Sequence, residues 1–217
     1  MNFLVLLLVL WVEKFSAGRL RIQQDGPWLQ WLTASSGRLP WFTLALAVLL
    51  PVALLGLLVL ALEPLAYGWL LLPVHLLVLV YSLGRGDLLA DLGPFRDAWR
   101  RGDDQAALHV AERDLGLVAD AEAELLERVR AYELWQAYQG FFAVIFWYAL
   151  LGPLPALAYR LLALTAERAA DTAVAERAAQ LRHAMDWLPV RVLAASFALV
   201  GNFSAVSPVS YTHLRAH

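Results

Sequence analysis

Hydrophobic residues gather in four runs, at 2–12, 42–62, 69–83 and 141–159, and most of the acidic residues lie between the third and the fourth. The run at 42–62 holds 21 residues without a charge, enough for a helix to cross a hydrocarbon layer roughly 30 Å thick. Pro51 stands in its middle and predicts a kink. The run at 69–83 is short at 15 residues, so its helix is expected to begin near Leu65, within the tight turn of residues 63–68. The first run predicts a short uncleaved membrane helix, with a signal anchor as the alternative. It lacks the basic flank and small-residue site of a cleaved signal peptide. Between 13 and 40, Lys14, Arg19, Arg21 and Arg38 accompany Trp28 and Trp31, with Trp41 close by. That mixture predicts a segment lying along the membrane interface.

The topology turns on residues 141–191. The charge-free part runs to Leu151, breaks at Gly152-Pro153-Leu154-Pro155, and resumes as Ala156-Leu157-Ala158-Tyr159-Arg160. Either half alone falls short of the roughly 20 apolar residues a span requires. Together they suffice, but the prolines remove backbone donors where lipid offers no replacement. Two forms remain open: a kinked span packed on other helices, and a re-entrant hairpin or pair of half-helices. A simple span would carry Arg160, Arg168, Arg177, Arg182 and Arg191 to the outside, against the positive-inside rule, so the re-entrant form is favoured.

The window 84–133 has a different character. It holds twelve of the chain's 19 acids together with seven arginines. Gly102 is expected to end one helix and Asp103-Asp104 to cap the next, which Gly116 would terminate near Leu115. A further helix is expected from Asp120, with Leu125, Leu126, Val129 and Tyr132 at helical spacing. Nothing breaks it before Gly152, so it would stand partly in water and enter the membrane near Leu134. Four cations follow the first run, none lies in the turn at 63–68, and seven lie in the window. The charged window is therefore expected on the cytoplasmic side.

Composition agrees. The chain is 60% hydrophobic and only 17% charged, against about 25% charged in soluble domains. The fold class expected is an all-α polytopic membrane protein, with membrane helices at 1–83, a cytoplasmic helical segment at 84–133, and membrane, re-entrant and interfacial helices at 134–207. Residues 208–217 resemble the translation of a sequencing-adapter read. They are expected to be a non-native tail, with the natural chain cut near Ser207, and their His213 and His217 are left out of any metal argument.

Candidate chemistry is sparse. The chain has no cysteine, which excludes disulfides, thiol catalysis and cysteine metal sites. No basic cluster with interleaved aromatics points to nucleic acid. Gly84-Arg85-Gly86 lacks the rest of a phosphate loop. His75, His109 and His183 are too scattered for a zinc site. His75, inside the third run, is expected to be neutral and bonded to backbone near the outer interface, with a functional role as an ionisable residue within the membrane as the alternative. Acid pairs such as Asp103/Asp104 and Glu122/Glu124 are expected to be caps or a solvated helix face. No cofactor is expected. Asp186 and Arg191 flank Trp187 and Pro189 at what is expected to be the start of a helix, with Pro189 in its first turn. A salt bridge between Asp186 and Arg191 would fix that start, with ligand binding by the same residues as the alternative.

Several blocks resemble the AmpE family. They are the short N-terminal helix with Glu13, the run at 146–152, Leu157-Ala158-Tyr159-Arg160, and Asp186-Trp187-Leu188-Pro189-Val190-Arg191, the last being the most specific. The likeness extends to about residue 207. It implies a bacterial inner-membrane protein modulating the signalling that controls β-lactamase induction, with the lipid bilayer and a protein of that signalling as partners. No catalytic residue is carried over, so Tyr159, Arg160, Asp186, Trp187, Pro189 and Arg191 stand as structural or functional candidates only. More distantly the same blocks resemble the cobalamin-pathway membrane synthases CbiB/CobD, which makes such a synthase the alternative. The acidic and amide pattern of those enzymes falls here on Gln136, Ala137, Gly140 and Phe141, so both carboxylates are gone. The departure favours a non-enzymatic descendant.

Overall fold

The computed structural model describes residues 5–9, 26–34, 39–64, 69–83, 92–117 and 122–200, and among them every regular element is a helix. In chain order these are α1 (Gly26–Ala34), α2 (Pro40–Leu62), α3 (Leu71–Ser82), α4 (Gly93–Arg100), α5 (Asp104–Val110), α6 (Glu122–Ala137), α7 (Ala143–Leu151), α8 (Pro153–Arg168) and α9 (Thr172–Val200). A π-helical turn at Ala111–Leu115 extends α5, and another at Tyr138–Phe142 joins α6 to α7. Residues 5–9 of the first run are also helical; the rest of that run and the stretch 208–217 lie outside the described residues. The chain forms two compact units, one of Met1–Gln24 with Ala61–Leu157 and one of Asp25–Leu60 with Ala158–His217.

In the first unit the charged window closes on a small core. Leu92, Phe95 and Ala98 from α4 and its cap meet Ala107 of α5, Ala111 of the π turn, and Leu125 and Val129 of α6. The ends are set by local chemistry. Gly102 takes a left-handed φ of 70°, and the Asp103 carboxylate accepts from the Ala106 N–H at 3.0 Å, one of the donors a helix start leaves unpaired. Gly116, at φ 67°, returns its N–H to the Glu112 carbonyl at 3.2 Å. These boundaries fall where the sequence put them.

From α6 through the π turn to α7 the chain is one helical rod. From Glu124 to Leu151 it counts 28 residues, about 42 Å at 1.5 Å per residue, charged as far as Glu133 and free of charge from Leu134 onward. Trp135, Tyr138, Phe142 and Phe146 stack along it with ring centroids 5.5, 6.1 and 6.3 Å apart. The apolar residues after 141 are thus the end of a long helix. The Gly-Pro break that follows deletes no helix bond. Gly152 adopts φ 88° and ψ −160°, a conformation open to glycine almost alone. Pro153 is the first residue of α8 and Pro155 lies in the same turn, where N–H groups have no intrahelical partner in any case. The third run is also corrected. α3 begins at Leu71, with Trp69 and Leu70 in a turn, so this helix is about 18 Å long.

The second unit holds α1, most of α2, most of α8, and α9. α2 runs unbroken through Pro51. Thr43, Leu44, Ala47, Val48 and Leu55 are buried, while Trp41, Phe42, Leu49, Leu50, Leu54, Leu57 and Leu58 are exposed. The chargeless helix thus keeps a broad apolar surface exposed. Asp171 caps α9 by accepting from the Ala173 N–H at 2.9 Å. The helix then continues for 29 residues with Pro189 inside it. The expected helix start at Pro189 is therefore corrected: Pro189 is an interior residue, and its missing N–H leaves the Met185 carbonyl without the usual i to i−4 bond.

Candidate functional site

α8 and α9 run antiparallel, because the contacts between them close toward the link at 169–171. Tyr159 meets Asp186, and nearer the link Glu167 lies 3.8 Å from Arg182. The buried stripe of α9 is Val174, Ala178, Asp186 and Pro189, the spacing of one helix face. Trp187 and Arg191 are turned away from it and exposed, and Val190, one turn after Asp186, is exposed at the edge of the stripe. The Asp186–Arg191 block is thus split between two faces by the helix period.

The inward half is closed. Asp186 is 5% exposed and accepts a hydrogen bond of 2.7 Å from the hydroxyl of Tyr159, itself fully buried. Each of the two sequence blocks, at 157–160 and at 186–191, contributes one partner. Arg160, the next residue on α8, is half-buried. A carboxylate at this depth needs such donors, and its seclusion suits it to locking α9 onto α8 rather than to proton transfer with an outside substrate.

The expected Asp186–Arg191 salt bridge does not form. Arg191 instead donates from Nη1 to the carbonyl of Trp187 at 3.0 Å and lies 4.0 Å above its indole ring. The physical reason is continuity of the helix. Residues five apart are separated by about 140° of helix rotation, whereas Trp187 and Arg191, four apart, are neighbours. Earlier on the same helix Arg177 sits 4.6 Å over the ring of Trp41.

A second polar pair lies in the first unit and was only half visible in the sequence. His75 is buried, and its Nδ1 is 3.0 Å from the hydroxyl of Tyr148, with the rings edge to face at 5.9 Å. The expected backbone partner is replaced by a side chain 73 residues away. A histidine in an apolar run was the visible signal; its partner Tyr148 carried none of its own. Ser82, two turns after His75 on α3, is also buried, and its hydroxyl has no hydrogen-bond partner among the described residues. Among the described residues no group of three or more His, Asp or Glu side chains is placed to hold a metal ion.

Compared with known proteins, residues 1–216 match the family described as regulatory signalling modulator protein AmpE. The match takes in the stretch 208–216 as well. The chain belongs to that family. No curated protein and no solved structure matches it.

Proposed function

We propose, from its membership of the AmpE family, that this chain is a multi-pass protein of the bacterial inner membrane that modulates the signalling behind β-lactamase induction. The observation that carries the membrane part is α2. It has 23 residues, no charge, and only 22% of its most apolar stretch buried within the protein, so lipid is the solvent that fits its surface. The rod ending at Leu151 supports the same reading, since it joins the charged three-helix core to an apolar end in one continuous helix. In this reading the charged core faces the cytoplasm and contacts a protein of the signalling system.

No observation favours a synthase. At 136–141, where the end of α6 passes into the π-helical turn of Tyr138–Phe142, the residues are Gln136, Ala137, Tyr138, Gln139, Gly140 and Phe141, none of them a carboxylate, where the resemblance to the synthases would place catalytic carboxylates. The test is an induction assay in a strain lacking the natural gene. Restoring this chain should restore the induced β-lactamase level, and charge reversals on the exposed face of α4, at Arg96 and Arg100, should reduce it without lowering the amount in the membrane. Full activity of both reversals, or recovery of the protein from the soluble fraction, would refute the reading. An alkaline phosphatase fusion at Gly102 should be inactive.

A further inference from the structure

The two halves of α9 differ in what they offer. Beyond the buried stripe that ends at Pro189, the helix stays apolar yet turns exposed, with Val190, Val192, Phe197 and Leu199 all open. No acid occurs from Trp187 to Val200, and Arg191 is the sole cation there. The earlier arginines are engaged, Arg177 over Trp41 and Arg182 beside Glu167. Asp186, the last acid of the helix, faces inward to Tyr159.

Arg191 is held but not neutralised. Its bond to the Trp187 carbonyl and its position over the indole fix the guanidinium, using one of its five donors. Among the described residues no carboxylate pairs with it. Trp187 itself is 58% exposed. A fixed guanidinium fork is preorganised for two parallel bonds to one phosphate group, and an exposed indole beside it belongs at headgroup depth.

We propose that Trp187 and Arg191 form a clamp for the phosphate of an anionic phospholipid, seating the second half of α9 on the membrane. The inference rests on the membrane reading above and adds a specific lipid contact to it. The order along the helix is that of a lipid leaflet, with a cation and an indole first and bare apolar surface after them. A soluble anion would satisfy the guanidinium and leave Val192, Phe197 and Leu199 in water.

The full chain, purified in detergent, is titrated with phosphatidylglycerol or phosphatidylcholine and bound lipid is read by native mass spectrometry; flotation with vesicles of the same lipids runs in parallel. The parent should retain phosphatidylglycerol in preference to phosphatidylcholine. Arg191→Gln should weaken that retention roughly ten-fold, the worth of one strong charge-assisted contact. Arg191→Lys should fall between, since an ammonium keeps the charge but not the fork, and Trp187→Leu should also weaken retention. All three should float with vesicles and melt like the parent, because both side chains are exposed. Unchanged retention by Arg191→Gln overturns the clamp, as does displacement of the lipid by an equal concentration of glycerol phosphate. Failure of the parent itself to float would defeat the membrane reading, a result distinct from a loss of lipid preference.

Discussion

The indole Nε1 of Trp28 donates to the carbonyl of Ala47, 3.5 Å away, and Ala47 is the residue whose helix bond Pro51 deletes. In an unbroken α-helix the N–H at position 51 would close on that carbonyl, and proline has none. Trp28, on α1, supplies a donor from outside the helix, although at the long end of hydrogen-bond distance. This is how a proline is tolerated where water is excluded. Trp28→Phe should therefore destabilise the protein by about 1 kcal/mol, and the loss should shrink in a Pro51→Ala background. Thermal midpoints in detergent of the two single variants and the double variant measure the coupling; strictly additive effects would mean the indole is only packing.

Tyr159 and Asp186 form the second coupled pair. Tyr159→Phe removes a donor from a buried carboxylate and should cost about 1–3 kcal/mol. Arg191→Ala should leave the midpoint nearly unchanged, and combining it with Asp186→Ala should be additive, since the two residues share no contact. A midpoint for Tyr159→Phe equal to that of the parent would show the hydrogen bond to be dispensable.

Glycines 140 and 152 should respond in opposite ways. A Cβ would meet no heavy atom within 4 Å at either position, but only Gly152 has a positive φ, of 88°. Gly152→Ala should cost about 1–3 kcal/mol of backbone strain. Gly140→Ala, in the helical rod, should be neutral or stabilising by up to about 1 kcal/mol. Equal unfolding midpoints for the two variants would contradict the conformation at Gly152.

Asp114 should titrate low. Arg113 donates to both of its carboxylate oxygens, at 2.6 and 2.8 Å, and that hydrogen bonding is the main cause holding the carboxyl below its ordinary 3.8. Whatever stability the pair contributes is present above the unfolded pKa and is lost as pH falls through the lower folded one. Replacing Arg113 by Gln should move the Asp114 midpoint upward in an NMR titration. An unmoved midpoint would place the shift elsewhere.

Local chemistry was enough to determine several parts of this protein. The caps at Gly102, Asp103 and Gly116, the apolar spacing of Leu125 and Val129, and the 23-residue helix α2 follow from interactions within a few residues of chain. The sequence blocks also led to the family. Tertiary structure decided the rest, because the deciding partners are distant in sequence. Asp186 was matched in sequence with Arg191, five residues on, but its hydroxyl partner lies 27 residues back. His75 found Tyr148 across 73 residues. The prolines also depend on the helices around them. Pro153 costs no helix bond because the chain starts a helix there, and Pro189 stays inside α9, where a break had been expected. Propensity gives the cost of a proline in isolation, but packing of the surrounding helix determines whether that cost is accepted.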